Sequence, residues 1–343
     1  MTSASNNGSK VTKTLGKVLG TGVIAGLSCL AWSFYETRHP KIRYYDLKIL
    51  PKESEAVNIL HISDLHFRGK KSRWLARWLN NIDLFDVDLV LSTGDNLGAE
   101  KVNDEVLSAL SRFLKLPGAF VFGSNDYYAP KKKNPLKYFF IKSPVEKVEN
   151  EKNILLDSKG LADSFVEAGW INLNNASGTL SIPQGKIELI GIDDPHIGRG
   201  MFSEEYPDFE EDSNDDKPIV RIGLAHAPYL NVLSEFERLE CNLSCFGHTH
   251  GGQLCVPLFG ALVSNCDLPP VYASGVFSLK EIFSYVTGVT GKNISEVVSN
   301  NVKSVNDLKG YASISAGLGT SPMIPLRFSC APEVSIIRLL PSR

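Results

Sequence analysis

His248 and His250 stand two residues apart in Gly247-His-Thr-His-Gly-Gly-Gln253, directly after the apolar run Leu243 to Phe246. If that run is a strand entering a loop, residues two apart point the same way and two imidazoles face one side, as a metal ion requires. Gly247, Gly251 and Gly252 let the backbone turn tightly and leave space beside it. A His-x-His pair by itself is equally well explained by two histidines bonded to backbone, so its context decides. Asp64 and His66 form a second pair two apart, at the end of Val57 to Ile62. Asp95 follows the apolar run Asp88 to Thr93, Asn125 and Asp126 follow Ala119 to Phe122, and His226 follows Ile219 to Leu224. Asp193, Asp194 and His196 close the run Lys186 to Ile192.

Asp64, His66, Asp95, Asn125, His226, His248 and His250 offer more oxygen and nitrogen donors than one ion of roughly four to six ligands accepts. They suit two ions that share a carboxylate, for which Asp95 is the choice. With no thiolate in the set, manganese, iron or zinc fits better than a soft metal. Two such ions about 3.5–4 Å apart polarise a phosphoryl group, generate hydroxide at neutral pH and steady the leaving oxygen. The chemistry is therefore phosphoester hydrolysis. Asp193, Asp194 and His196 are expected to orient ligands or line the cleft. Arg327 is in a position to reach a substrate phosphate, a surface ion pair being the alternative.

The elements that must position these groups are apolar strands, with helices between several of them. Ser72 to Leu84 places Trp74, Leu75, Trp78 and Leu79 at helical spacing, which reads as a core-facing stripe. Helices are expected over Val102 to Leu114, Leu161 to Ala168 and Leu230 to Leu239, and closing strands over Ala312 to Ala316 and Glu333 to Leu340. This alternation argues for an α/β sheet with its functional groups at the strand carboxyl ends. Residues 1–17 read as a polar tail, 18–35 as an uncharged, mostly apolar signal anchor near the ~18-residue minimum for a membrane span, and 36–55 as a connector. The main domain is expected over 56–341, with insertions at about 130–155 and 271–309. The run Leu136 to Ile141 is apolar enough to pack or to touch a membrane, and the acid-rich segment Ser203 to Asp216 lacks the pattern of a calcium loop.

A length of 343 residues with 43% hydrophobic content allows one large core or two packed lobes. A net charge of −2 gives no signal for nucleic-acid binding. The six cysteines form no Cys-x-x-Cys pair, which argues against a zinc knuckle or a redox motif.

In this order Asp64-Leu-His66, Gly94-Asp95, the block Gly123 to Asp126, His226 and Gly247-His-Thr-His250 resemble the calcineurin-like metallophosphoesterase superfamily, in the form of its bacterial membrane-anchored members. The resemblance implies a four-layer α/β/β/α sandwich, here preceded by a transmembrane helix. It also implies a pair of ions, one on Asp64, His66, Asp95 and His250 and the other on Asp95, Asn125, His226 and His248. A phosphomonoester, phosphodiester or pyrophosphate is the expected substrate, with a lipid or cell-envelope phosphate suggested by the anchor. The implied place is the cell membrane, single-pass, with the catalytic domain outside the cytoplasm, and the membrane is a partner through the N-terminal helix. The third block departs from the family's Gly-Asn-His-acid pattern. An ungapped match puts Ser124 on the metal-binding Asn, while a one-residue slide keeps Asn125 as the ligand and puts Asp126 where the catalytic His belongs. Asn125 is preferred because an amide oxygen ligates better than a hydroxyl. The customary histidine is absent either way, so the expectation is an easily expelled leaving group or a substitute acid from Asp126 or His196. The alternative is a membrane-tethered metal-binding protein with little turnover. An amidohydrolase-like site also uses His-x-His, but after its first strand rather than late in the chain.

Overall fold

The computed structural model describes residues 5–130, 154–202, 218–297, 304–321 and 324–342, with side chains from residue 21 onward. The segments Leu136 to Ile141 and Ser203 to Asp216 lie outside the described residues.

Two sheets face each other. The first has the order β1-β14-β2-β3-β4-β5, from Lys41–Leu50, Glu333–Pro341, Val57–Ile62, Leu89–Ser92, Gly118–Phe120 and Ile171–Asn172. The second has the order β12-β13-β9-β8-β7-β6, from Gly275–Ser278, Tyr311–Ile314, Leu243–Phe246, Val220–Leu224, Gly185–Gly191 and Ala176–Ile182. A small hairpin, β10 (Cys255–Val256) and β11 (Gly260–Ala261), stands apart from both. Strands β2 to β5 run parallel, as do β7, β8, β9 and β13. Their carboxyl ends therefore open on one edge of the sandwich, where loops can converge.

The side-chain period of two explains the layering. Val57, Ile59, Leu89 and Leu91 point between the sheets and meet Ile187, Leu189, Ile222, Leu224 and Leu243. Their neighbours Leu60, Ile62 and Val90 point outward, under Leu75 and Leu79 of α2 (Arg73–Asn80), Val106 and Leu110 of α3 (Asn103–Leu110), and Leu161 and Phe165 of the later helix Ser158–Glu167. Such strands carry apolar residues on both faces because both faces are covered. Val232 and Phe236 of the helix Leu230–Arg238 cover the far side of the second sheet, with Ile282 and Phe283 of the helix Leu279–Thr290. The result is an α/β/β/α sandwich. Within the expected insertion, Gly275–Ser278 forms an edge strand and Leu279–Thr290 an outer helix, and within the expected connector Lys41–Leu50 forms β1, parallel to β14.

One sequence expectation is corrected. The N-terminal helix α1 runs Ser5–Thr37, yet among the described residues no helix is long and apolar enough to cross a membrane. The single-pass location and the membrane contact through this helix fall with it. The physical reason lies in what interrupts the apolar side chains. Gly22, Gly26, Ser28 and Ser33 dilute them. Gly26, Cys29, Leu30 and Ser33 border an open surface groove with Leu254, Leu326 and Phe328 of the main domain, while Val23, Ile24, Leu27, Trp32 and Phe34 stay exposed. At the helix end, Thr37 Oγ1 accepts a hydrogen bond of 2.8 Å from the Arg327 N–H.

Candidate metal centre

Each candidate ligand sits just past the carboxyl end of a central strand: Asp64 and His66 after β2, Asp95 after β3, His226 after β8, and His248 and His250 after β9. The chain must leave its strand sharply to aim these groups inward. Asp64, His66, Asp95, His248 and His250 all have positive φ, from 44° to 69°. A left-handed non-glycine residue costs about 1–3 kcal/mol, and this many in one cleft marks a site the surrounding fold holds in place. Two glycines let the loops touch. A Cβ on Gly123 would overlap Asp95 Oδ1 and lie 2.7 Å from His226, and one on Gly247 would overlap both Ser63 Oγ and Asp64 Oδ2.

The buried ligand atoms form two groups, Asp64-His66-His250 and Asp64-Asp95-His226. The Nε2 atoms of His66 and His250 are 3.1 Å apart, with Asp64 Oδ1 at 3.9 and 3.7 Å from them. Adjacent ligands of an ion bound at about 2.1 Å stand about 3.0–3.4 Å apart, so the two nitrogens are spaced as neighbours on one ion. Asp95 Oδ2 lies 3.5 Å from His66 Nε2 and 3.4 Å from His226 Nε2, between the two groups. His226 Nε2 is buried and makes no well-formed hydrogen bond, with Asp95 Oδ2 as its charged neighbour, so an ion would complete its bonding. Its other nitrogen, Nδ1, is 2.7 Å from the Thr93 carbonyl, which orients the ring. The residues therefore fit two ions and share Asp64 between them, with Asp95 beside it.

Burial decides the protonation of most of these groups. It pushes the Asp64 carboxyl up to about 6 and the His66 imidazole down to about 4. His250 lies well below the ordinary histidine value through burial, then His66, then Arg327, and His248 through burial, then His196 and His226. Neutral imidazoles are the form a metal needs. Asp95 and His226 behave as a pair. Burial opposes both charges, but their attraction holds the carboxyl low and the imidazole well above its ordinary value.

Other candidates take different places. Asn125 is in the one-turn helix Ser124–Tyr127, where its N–H donates to Asp95 Oδ1 at 2.8 Å and its Nδ2 to Asp95 Oδ2 at 2.7 Å. Asp126 is fully buried, and its oxygens accept the N–H groups of Asp95, Asn96, Leu97 and Gly123 at 2.7, 2.8, 3.2 and 3.0 Å. That carboxyl, which burial pushes up to about 7, clamps the Asp95 loop. His248 donates its backbone N–H to Asp64, and its Nε2 is 3.1 Å from the Asn265 carbonyl. The His196 ring is 4.3 Å from that of His248, with Nδ1 2.9 Å from the Tyr229 hydroxyl. Arg327 does not face a cleft: it is completely buried, against the expectation of a phosphate contact, because backbone carbonyls take its donors.

Asp194, expected to orient ligands or line the cleft, is fully buried with Oδ2 unpartnered, and burial pushes its carboxyl up to about 7. Sequence reasoning passed over other supports. His61 of β2 ties the sheets together through Ser313 and Thr93 at 3.2 and 3.0 Å, and burial pushes it down to about 3. The loop after β13 grips the Asp64 segment, Leu318 N–H donating to Ser63 O and Gly319 N–H to Asp64 O. The glycines of Gly317 to Gly319 were the available signal.

Residues 57–252 match the family described as Calcineurin-like phosphoesterase. Two Bacillus subtilis (strain 168) proteins are similar in sequence. The uncharacterized metallophosphoesterase YkoQ is 26% identical over 205 residues, covering 59% of this chain and 63% of that protein. The uncharacterized metallophosphoesterase YkuE is 29% identical over 182 residues, covering 51% of this chain and 49% of that protein. The chain thus spans about half to three fifths of the length of these relatives. Among solved structures, TT1561 of Thermus thermophilus aligns over 65% of this chain and 93% of its own, at 13% identity and a TM-score of 0.34.

Proposed function

The chain belongs to the calcineurin-like phosphoesterase family, and from that premise we propose that it hydrolyses a phosphomonoester, phosphodiester or pyrophosphate with two divalent ions. The observation that carries this reading is the pair of buried ligand groups meeting at Asp64. The donor set, imidazole and carboxylate without thiolate, favours manganese, iron or zinc. When bound, such a pair polarises the phosphoryl oxygens and makes water a competent nucleophile near neutral pH.

The residues of this chain do the rest. Asp64, His66 and His250 would hold one ion, and Asp64 with Asp95 would reach the other. His226, His248 and Asn125 complete the second set, Asn125 by turning its amide oxygen inward while its backbone N–H keeps Asp95 in place. Asp126 keeps the Asp95 loop in its left-handed turn by four backbone contacts. With Asp126 committed, His196 is the better substitute for the family's missing histidine. The Tyr229 hydroxyl orients its ring beside His248, and its role is to hand a proton to the departing oxygen.

The test is hydrolysis of aryl phosphomonoester and phosphodiester probes by the manganese-loaded protein beside Asp95→Ala. Turnover abolished by the substitution supports the reading. Two bound ions without turnover on any phosphoester would replace it with that of a metal-binding protein.

A further inference from the structure

Arg327 is the largest buried cation of the described residues and no carboxylate among them forms an ion pair with it. A buried charge of this kind is expensive unless hydrogen bonds compensate it. Its donors go to two loops, apart from an Nη1 contact of 3.8 Å to Cys330 Sγ in its own segment. Nη1 donates to His250 O at 3.2 Å, while Nε and Nη2 donate to Gly319 O at 2.9 and 2.6 Å. Nη2 also reaches Ala316 O at 2.6 Å and Gly317 O at 3.1 Å, and stands 3.5 Å from His250 Nδ1.

The two loops matter differently from their neighbours. The first carries His250 itself. The second, residues 316–319, holds the segment bearing Asp64 and His66: Gly319 N–H donates to Asp64 O at 2.6 Å and Leu318 N–H to Ser63 O at 3.1 Å. Contact there is so close that a Cβ on Gly317 would lie 2.5 Å from Asp64 Cβ, and one on Gly319 2.9 Å from His66 Cβ. None of the bonds of Arg327 reaches the Asp95, Asn125 or His226 loops. Its own backbone is fixed at Thr37, and the adjoining Phe328 N–H donates to Gln253 O at 3.0 Å.

We infer that Arg327 is a positioning residue for the half of the centre that holds His66 and His250: by clamping the His250 loop to the loop that carries the Asp64 and His66 turn, it sets how tightly the chain holds the ion at those two histidines. The inference rests on the two-ion reading. It predicts that geometry matters beyond charge. Only a planar guanidinium, with its donors in a fixed fork, spans this set of carbonyls, whereas a lysine ammonium does not.

The experiment uses the full chain and counts ions, not turnover. Wild type, Arg327→Lys and Arg327→Met are stripped of metal, checked for folding by circular dichroism and thermal melting, and titrated with manganese. Bound metal per chain and the spin coupling of adjacent ions are recorded by elemental analysis and paramagnetic resonance. The expected result for Arg327→Lys is the ion at His66 and His250 weakened about 10–100-fold while the ion at Asp95 and His226 stays near wild type, loss of the coupled signal, and a fall in kcat with KM for an aryl phosphodiester within about twofold. Two ions bound by the folded lysine variant with wild-type affinity would overturn the inference, as would equal weakening of both. Unchanged ions with a raised KM would overturn it too, making Arg327 a substrate contact after all. A wild-type chain that never binds a pair would instead defeat the two-ion reading on which the inference stands. The lysine variant is the deciding one if the methionine variant does not fold.

Discussion

The two sheets contribute unlike halves of the site. The first sends out the carboxylates Asp64 and Asp95 with one imidazole, His66, whereas from the second the candidate ligands are the imidazoles His226, His248 and His250. Neither half holds an ion alone, since Asp64 and His66 need His250, and Asp64 and Asp95 need His226. The centre therefore lies on the seam, and closing the sandwich assembles it. The left-handed turns at five ligands show what the surrounding fold must hold in place, and the buried hydrogen bonds across the seam show how it does so.

Substitutions on the two sides break this comparison differently. Asp64→Asn, on the first sheet, removes the carboxylate common to both groups and is expected to lower kcat at least about 10³-fold, with both ions lost. His226→Ala, on the second, is expected to leave one ion bound and cost about 10²–10³-fold. Steady-state rates with metal analysis on the same samples check both, and equal metal loss in the two variants would break the assignment of halves.

The seam itself is probed by its glycines. Gly123→Ala presses a methyl from a first-sheet loop onto His226 of the second, and Gly247→Ala presses one from the second onto Asp64 of the first. Overpacking of this order costs about 1–3 kcal/mol of stability, and ion affinity should fall about 10–100-fold in both variants. Thermal melting with manganese titration measures it, and a wild-type affinity in either variant would show that the loops do not need this contact.

His196→Ala sharpens the comparison within the second sheet, because this histidine is proposed to serve the substrate while its neighbour His248 serves an ion. The rate on an alkyl phosphodiester should fall about tenfold or more, and on an activated aryl ester less than about threefold. Equal losses on both would remove His196 from the proton transfer.

The smallest effect concerns pH. Binding of an ion must displace the proton on Asp64, whose carboxyl is pushed up to about 6, and the one on His226, raised well above its ordinary value, while His66 is already neutral above about 4. Protons compete with the ion for the first two, so affinity should rise as pH increases through 6, by about tenfold per pH unit for each proton displaced. Calorimetry in buffers of different ionisation heat reads the protons released, and affinity falling with pH would contradict the assignment.

The ligand series was legible because it obeys strand logic: apolar runs with both faces buried end in Asp, His or Gly-Asp, and only a shared sheet edge explains that repetition. Asp126 and Arg327 were not legible in the same way. Their types suit both chemistry and scaffolding, and what separates the two is the set of backbone donors and acceptors around them, which no spacing reveals. The helix Ser5–Thr37 failed for another reason. An uncharged run resembles a membrane span until its glycines and serines are counted.

The central claim, that the seam of the two sheets holds two ions at Asp64, is tested most directly by anomalous diffraction at a manganese edge from crystals of the reloaded full chain. Two peaks are predicted, both within ligand distance of Asp64, one beside His66 and His250 and the other beside His226. A single peak, or a pair away from Asp64, would contradict the account.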